Sequence, residues 1–471
     1  MKSCKHLLLF FLLLIKTTTS QSIITTLPGF PGPLPFKLET GYISVGEHDE
    51  KQLFYYFIES ERNTETDPLL FWLNGGPGCS GFSGLAFEIG PLAFDLATFD
   101  GSFPSLIINP YSWTKIASII FIDAPVGTGF SYFTTSEGYL ISDTKSASDS
   151  YLFLRKWLLK HPKFLKNHLY VTGDSYGGKM IPMIASEVAK GNEAGLQPRM
   201  LLQGYTIGNP VTNEKMDINE RIPYFHRMAL ISDEYFELAK SNCNGDYVNP
   251  DPNNHKCLYA LQLVRKCTEG LYESHILEPK CEFMSPKPND FLSGQLFVEE
   301  DPVDVLFLSK QERPWCRNYN YMPAYIWANN ETVQEALHIR KGTVTDWQRC
   351  NTIIARTTLF YEKDVESVFE HHHQLLNEKG FRALVYSGDH DMSIPYMSTL
   401  KWMRNLNLIV DEGWRPWYVD GQIAGYTEKY KNINQAYITF STVKGGGHTA
   451  PEYKPKECLA MIERWLSLVP L

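Results

Sequence analysis

Leu169-Tyr-Val-Thr-Gly-Asp-Ser-Tyr-Gly-Gly-Lys-Met-Ile-Pro-Met-Ile-Ala185 passes from an apolar, β-branched run, through Gly-x-Ser-x-Gly at 173–177, into a helix-forming segment. Residues 169–172 read as a buried strand and residues 179–189 as a helix. A serine forced onto a sharp strand-to-helix turn projects its hydroxyl clear of the backbone, and the flanking glycines let neighbouring segments approach that turn. The pentapeptide alone is a weak signal, because Gly and Ser are common. Its strand-before, helix-after context makes Ser175 the candidate nucleophile, against the blander reading of an ordinary Gly/Ser turn.

A nucleophilic serine needs a histidine and an acid, which in the α/β-hydrolase order follow it in the chain. Two later segments have the required form. Ala383-Leu-Val-Tyr-Ser reads as a strand ending in Gly388-Asp-His-Asp391, and Ala436-Tyr-Ile-Thr-Phe-Ser-Thr-Val as a strand running into Gly445-Gly-Gly-His448. A parallel sheet presents functional residues at the carboxyl ends of its strands. Three such ends, carrying Ser175, an aspartate and His448, form a joint signal stronger than any one of them. Residue chemistry leaves Asp389 and Asp391 as alternatives. For the oxyanion hole, Leu69-Leu-Phe-Trp-Leu73 reads as a strand and Asn74-Gly-Gly-Pro-Gly-Cys79 as its loop. The backbone amides of Gly76 and Tyr176 are the expected donors, each worth about 10²–10³ in rate.

These segments, together with Phe121-Ile-Asp-Ala-Pro-Val-Gly-Thr-Gly-Phe-Ser131 and the run on to Pro455, resemble the serine carboxypeptidase-like family over nearly the whole chain. The resemblance implies an α/β fold of the α/β-hydrolase kind, with a central, mostly parallel sheet and an inserted, disulfide-bearing cap. It implies Asp391 as the acid, and disulfides Cys79–Cys350, Cys243–Cys257 and Cys281–Cys316, leaving Cys267 and Cys458 unassigned. Spacing alone leaves the eight cysteines beyond residue 20 with 105 pairings.

Residues 1–20 read as a secretory signal: Lys2 and Lys5, an apolar run over 7–15, then Thr18-Thr-Ser20. Nine apolar residues are too few to span a bilayer. Removal of the segment deletes three lysines and no acids, moving the formal charge from −9 to −12. That balance argues against nucleic-acid binding. The expected compartment is the secretory pathway, ending outside the cell or in the vacuole. Because Ser175 and His448 share one site, residues 21–212 and 346–471 should form one catalytic core, with 213–345 as the cap. Residues 285–314, with four prolines and acidic pairs, read as a loop or processing site. Asn330-Glu-Thr is the only glycosylation sequon. His371-His-His373, with no cysteine near it, reads as a solvated helix face rather than a metal site. No metal or cofactor is expected.

The choice of reaction rests first on Asp174, with Arg349 as a second discriminator. The family holds carboxypeptidases and, in plants, acyltransferases that use 1-O-glucose esters, and both work through an acyl-enzyme. In the peptidases, positions equivalent to Trp72, Asn74, Gly75 and Glu88, with a Glu just before the nucleophile, hold the peptide's terminal carboxylate. Here that last position is Asp174, whose carboxyl sits about 1.5 Å further back. A lost hydrogen bond to a charged group costs about 1.5–3 kcal/mol. The Gly-Asp-Ser-Tyr and Gly-Asp-His-Asp forms, Trp414-Arg-Pro-Trp417 and Gln422-Ile-Ala-Gly-Tyr426 are similar to the acyltransferase branch, as is Arg349, which there contacts an acceptor carboxylate. The expected activity is transfer from an acylglucose to a small acceptor, with C-terminal peptide hydrolysis as the alternative. A catalytically dead binding protein is disfavoured, since every catalytic position is filled.

Overall fold

Unbroken apolar runs that are buried on both faces require a sheet covered from both sides. In the computed structural model, which describes residues 21–135, 141–281, 283–288, 316–356, 360–432 and 436–471, six such runs lie side by side. In chain order the sheet strands are β1 (Gln21–Thr26), β2 (Pro33–Val45), β3 (Lys51–Ile58), β4 (Leu69–Leu73), β5 (Ser118–Ile122), β6 (Leu169–Asp174), β7 (Leu202–Gly208), β8 (Arg382–Gly388), β9 (Ile409–Val419), β10 (Gln422–Lys431) and β11 (Tyr437–Val443). Their order across the sheet is β1-β2-β3-β5-β4-β6-β7-β8-β11-β10-β9, with a short strand, Tyr132–Phe133, pairing β3 off this path. The central six, β5 to β11, are parallel, and antiparallel strands close both edges. The expected α/β-hydrolase architecture is the one observed.

The pleat sends alternate side chains into two cores. Leu69 and Phe71 of β4 face α1 (Asp143–Lys160) and α2 (Gly177–Glu193), with Phe153, Trp157, Ile181 and Ile184 in that layer. Leu70 and Trp72 face the other way, toward a layer that holds Met461 and Trp465 of the C-terminal helix, Pro455–Leu466. β6 lies between β4 and β7, so the loop after it opens at the middle of the sheet.

Between β7 and β8 the chain leaves the sheet. Helices α3 (Arg221–Arg227), α4 (Asp233–Asn242) and α5 (His255–Thr268) gather a small core of their own around Ile222, Tyr224, Phe225, Ala260 and Val264. Cys243–Cys257 ties the end of α4 to the start of α5. Residues 322–337 return to the main body, where Trp327 stacks on Phe82 (5.1 Å). The signal-like residues 1–20 and most of 285–314 lie outside the described residues. Among the described residues no helix is long and apolar enough to cross a membrane.

The histidine run corrects the sequence reading. His372 is fully buried, not solvated: its Nδ1 lies 2.7 Å from Tyr205 Oη, and its ring stacks on Trp402 at 4.4 Å. Burial lowers its pKa to about 3. Three polar residues in a row suggested an exposed face, but one aromatic shelf in the core accepts a neutral imidazole.

Candidate active site

Ser175 ends β6 in a left-handed conformation (φ 53°), rare for a residue with a side chain. The turn is braced from both ends: the Ser175 amide donates to Gly208 O (2.8 Å), and the Gly178 and Val211 amides donate to Ser175 O (2.9 Å each). Glycine at 75 is required by close approach, since a Cβ there would sit 2.5 Å from Ser175 Cβ and 2.6 Å from the Tyr176 amide nitrogen. The Asn74–Cys79 loop therefore passes directly over that amide. Gly76, in the same loop, has φ 115°, open only to glycine.

His448 Nε2 lies 2.7 Å from Ser175 Oγ, and His448 Nδ1 lies 2.8 Å from Asp391 Oδ2. Asp391 is fully buried and held by Asn209 Nδ2 (2.8 Å) and by the amides of Ser393 (2.8 Å) and Ile394 (3.3 Å). Asp389 faces elsewhere, accepting from the Gly445 amide and lying 2.7 Å from His390 Nδ1. Burial pulls the His448 pKa down, but the Asp391 carboxylate outweighs it and leaves the imidazole above its usual range. A base so placed can take the serine proton and keep its positive charge paired. Asn209 escaped the sequence reading, although its place one residue beyond β7, at the carboxyl end of a central strand, was a usable signal.

Beside the serine, Trp72 Nε1 and the Gly84 amide donate to Asn74 Oδ1 (3.0 and 2.9 Å), and Asn74 Nδ2 donates to Glu88 Oε1 (2.8 Å). Asp174 Oδ1 accepts from the Gly75 amide (3.1 Å) and Asn74 Nδ2 (3.4 Å). Burial pushes Asp174 up to about 6, against the pull of His448 and the Gly75 amide. Burial and the Asp174 charge together hold Glu88 well above the carboxylate range, and its Oε2 has no hydrogen-bond partner among the described residues.

Of these groups, Ser175, His448, Asn74, Glu88 and Asp174 line a cavity of about 870 Å³, whose wall also includes Phe225 of α3 and Leu261 and Val264 of α5. Arg349 also lines it. Its Nη2 donates to Met284 O (2.9 Å), its guanidinium lies 3.8 Å from the Tyr321 ring centroid, and its Nε has no hydrogen-bond partner among the described residues. The disulfide Cys79–Cys350 sets Arg349 there, reinforced by the Ser80 amide donating to Arg349 O (2.8 Å) and the Asn351 amide to Gly78 O (2.8 Å). Cys281–Cys316 forms the third bridge; Cys267 and Cys458 are free. Asn330 caps a helix through Oδ1, which accepts from the Thr332 amide (2.9 Å).

With this geometry in hand, the chain matches the family model described as Serine carboxypeptidase over residues 28–468. It belongs to the serine carboxypeptidase family. Within that family it is similar to Arabidopsis thaliana "Serine carboxypeptidase-like 15", at 48% identity over 96% of this chain and 95% of the relative. It is also similar to "Serine carboxypeptidase-like 10" of the same plant, at 47% identity over 99% of both chains. Among solved structures, that of Kex1, a prohormone-processing carboxypeptidase from Saccharomyces cerevisiae, shares the fold with a TM-score of 0.68. That match is at 18% identity and covers 92% of this chain and 91% of the other.

Proposed function

We propose that the protein transfers an acyl group from a 1-O-glucose ester to the hydroxyl of a small acceptor, through an acyl-enzyme on Ser175. His448 takes the Ser175 proton as Oγ attacks the ester carbonyl, and the resulting oxyanion is held by the amides of Gly76 and Tyr176. Collapse breaks the bond to the glucose oxygen, which leaves with the proton from His448. The acceptor O–H then gives its proton to His448 as it attacks the acyl carbon, and Ser175 Oγ is released with that proton. Asp391 keeps the imidazole oriented throughout.

The observation that carries the preference for transfer is the position of Asp174. Its carboxyl is drawn back onto Asn74 and Gly75, so the wall beside Ser175 lacks a second long acid for a peptide's terminal carboxylate. Arg349, with an unpartnered Nε at the cavity wall, supports an anionic acceptor. The peptidase reading is favoured by Glu88, whose orphaned Oε2 and raised pKa suit a protonated acid donating to a carboxylate. We further propose residues 213–345 as the cap over this site, residues 1–20 as a secretory signal and Asn330 as glycosylated. Incubation of the purified protein with acylglucoses plus hydroxy-acid acceptors, and separately with blocked dipeptides, tests the choice. Transfer product without amino-acid release is expected; dipeptide cleavage without transfer would overturn it.

A further inference from the structure

Four main-chain hydrogen bonds join a short inserted segment, residues 273–276, to both loops that deliver the charge-relay pair. The Met392 and Ser393 amides donate to Glu273 O (3.0 Å each), the His448 amide donates to Ser274 O (2.8 Å), and the Ile276 amide donates to His390 O (3.0 Å). One short stretch, folded into two consecutive turns by the His275 amide donating to Tyr272 O (3.1 Å) and the Glu278 amide to His275 O (3.0 Å), thus reaches the residue before Asp391, the two after it, and His448 itself. The glycines before His448 fit this arrangement. A Cβ on Gly447 would lie 2.5 Å from Ser274 O and 2.8 Å from the Tyr453 ring, so the histidine loop is bare where the strap crosses it.

In the middle of the strap sits His275, a buried imidazole with no part in the chemistry proposed above. Its ring lies parallel to His390 (5.3 Å, 9°) and stacked on Tyr453 (4.8 Å), and its Nε2 is 3.4 Å from Gly445 O. It therefore touches the Asp391 turn, the His448 loop and the helix after it together. The charged and titratable groups around it are Glu278, Arg317 and the imidazole of His390. Arg317 fastens the far end of the strap: it pairs with Glu278 and lies 3.5 Å from Glu452, whose Oε2 accepts from Thr449 Oγ1 (2.9 Å), next to His448.

We propose that residues 273–276 are a positioning strap, with His275 as the positioning residue that holds Asp391 and His448 in register. The insertion is then part of the catalytic framework as well as a cover. This inference rests on the Ser175–His448–Asp391 reading. A strap of this kind acts on the His448–Asp391 bond and leaves substrate contacts alone, so it predicts a split in the kinetics. Misplacement of a catalytic group by about 1 Å can cost 10²-fold in rate.

The test compares wild type, Ser175→Ala, His275→Ala, His275→Leu and His275→Phe for fluorophosphonate labelling rate, kcat, KM, Tm and the acid limb of the kcat/KM–pH profile. The groups that set that limb through His448 are Asp391, Asp174 and Arg221. Because Asp391 raises the His448 pKa, a loosened bond moves the limb to lower pH. His275→Ala is expected to lower kcat about tenfold or more, with KM within about twofold and the limb displaced downward. His275→Leu is read instead if the alanine variant does not fold. His275→Phe, which keeps the stack, should recover most of the rate. A lower Tm with kcat and the acid limb unchanged in both Ala and Leu variants would overturn the strap. Labelling that survives Ser175→Ala would instead remove the triad reading on which it rests.

Discussion

The hydroxyl of Ser175 meets His448 from a turn in which a residue with a Cβ is held at φ 53° by three main-chain hydrogen bonds. Ser175→Ala keeps that backbone and removes the nucleophile, so covalent labelling by a fluorophosphonate and all turnover should vanish. The two aspartates of Gly388-Asp-His-Asp391 make a sharper comparison. Asp391→Asn should lower kcat by several decades, because the amide cannot orient and pair the imidazolium. Asp389→Asn, at a carboxylate that meets His390 and the Gly445 amide instead of His448, should cost far less. Kinetics showing the opposite ranking would assign the wrong carboxylate. The sequence could not separate the two by residue chemistry, since both follow one strand and both are acids. What distinguishes them is which face of a three-residue turn looks at His448. The same limit explains His372, buried on Trp402 although its neighbours are polar, and His275, which lies in no motif because the groups its ring meets, His390, Tyr453 and Gly445 O, are all distant in the chain.

Elements were legible where their signal is periodic burial. The strand before Ser175, the strand before Asn74 and those before Asp391 and His448 are buried along nearly their whole length, and each became a central parallel strand. The inserted segment was legible as an insertion, but its individual helices were not, because their apolar residues face a small local core and a cavity that no local pattern announces. At this scale the Asn74–Cys79 loop and the 349–351 segment behave as one unit, joined by a cystine. Reduction should destabilise the protein, chiefly through Cys79–Cys350, which spans a separation of 271 residues. Chain entropy gives about 5 kcal/mol for such a loop. Thermal melts with and without reductant check this, and peptide mapping that finds Cys79 unpaired would refute it. The same unit carries the acceptor prediction. Arg349→Ala should lower transfer to a carboxylate-bearing acceptor while sparing hydrolysis of the same donor. Asp174→Glu should move the balance toward peptide cleavage by restoring reach. The ratio of transfer product to free acid, from one acylglucose, reports both; an unchanged ratio in the two variants would sink the acceptor assignment.

Over the whole molecule, several acids are buried deeply enough to change how stability follows pH. Burial raises Asp123 and Asp217 from the ordinary 3.8 to about 7, and Asp174 to about 6. An unfolded chain ionises such groups near pH 4, while the folded protein holds their protons until roughly pH 6–7. Their contribution is therefore complete below about pH 4, declines through pH 4–7 and is gone above. The Tm should be higher at pH 5 than at pH 8. Asp217→Asn, at a carboxyl whose Oδ1 has no hydrogen-bond partner among the described residues, should flatten that slope. Scanning calorimetry across the range decides it, and a Tm that rises steadily to pH 8 would contradict it.

The cystine between Cys79 and Cys350 also bears on how the protein comes to exist. A ribosome adding 5–20 residues per second needs roughly 15–50 s to make the 271 residues between the two sulfurs. For that interval Cys79 is a thiol in search of a partner, and Cys243, Cys257, Cys267, Cys281 and Cys316 all emerge before Cys350 does. Any early crosslink to one of them must be undone by exchange before the loop over Ser175 can close. The nascent chain thus acquires its active-site loop near the end of its synthesis, and the rate at which wrong sulfur pairs are released sets a floor on how fast competent enzyme can appear.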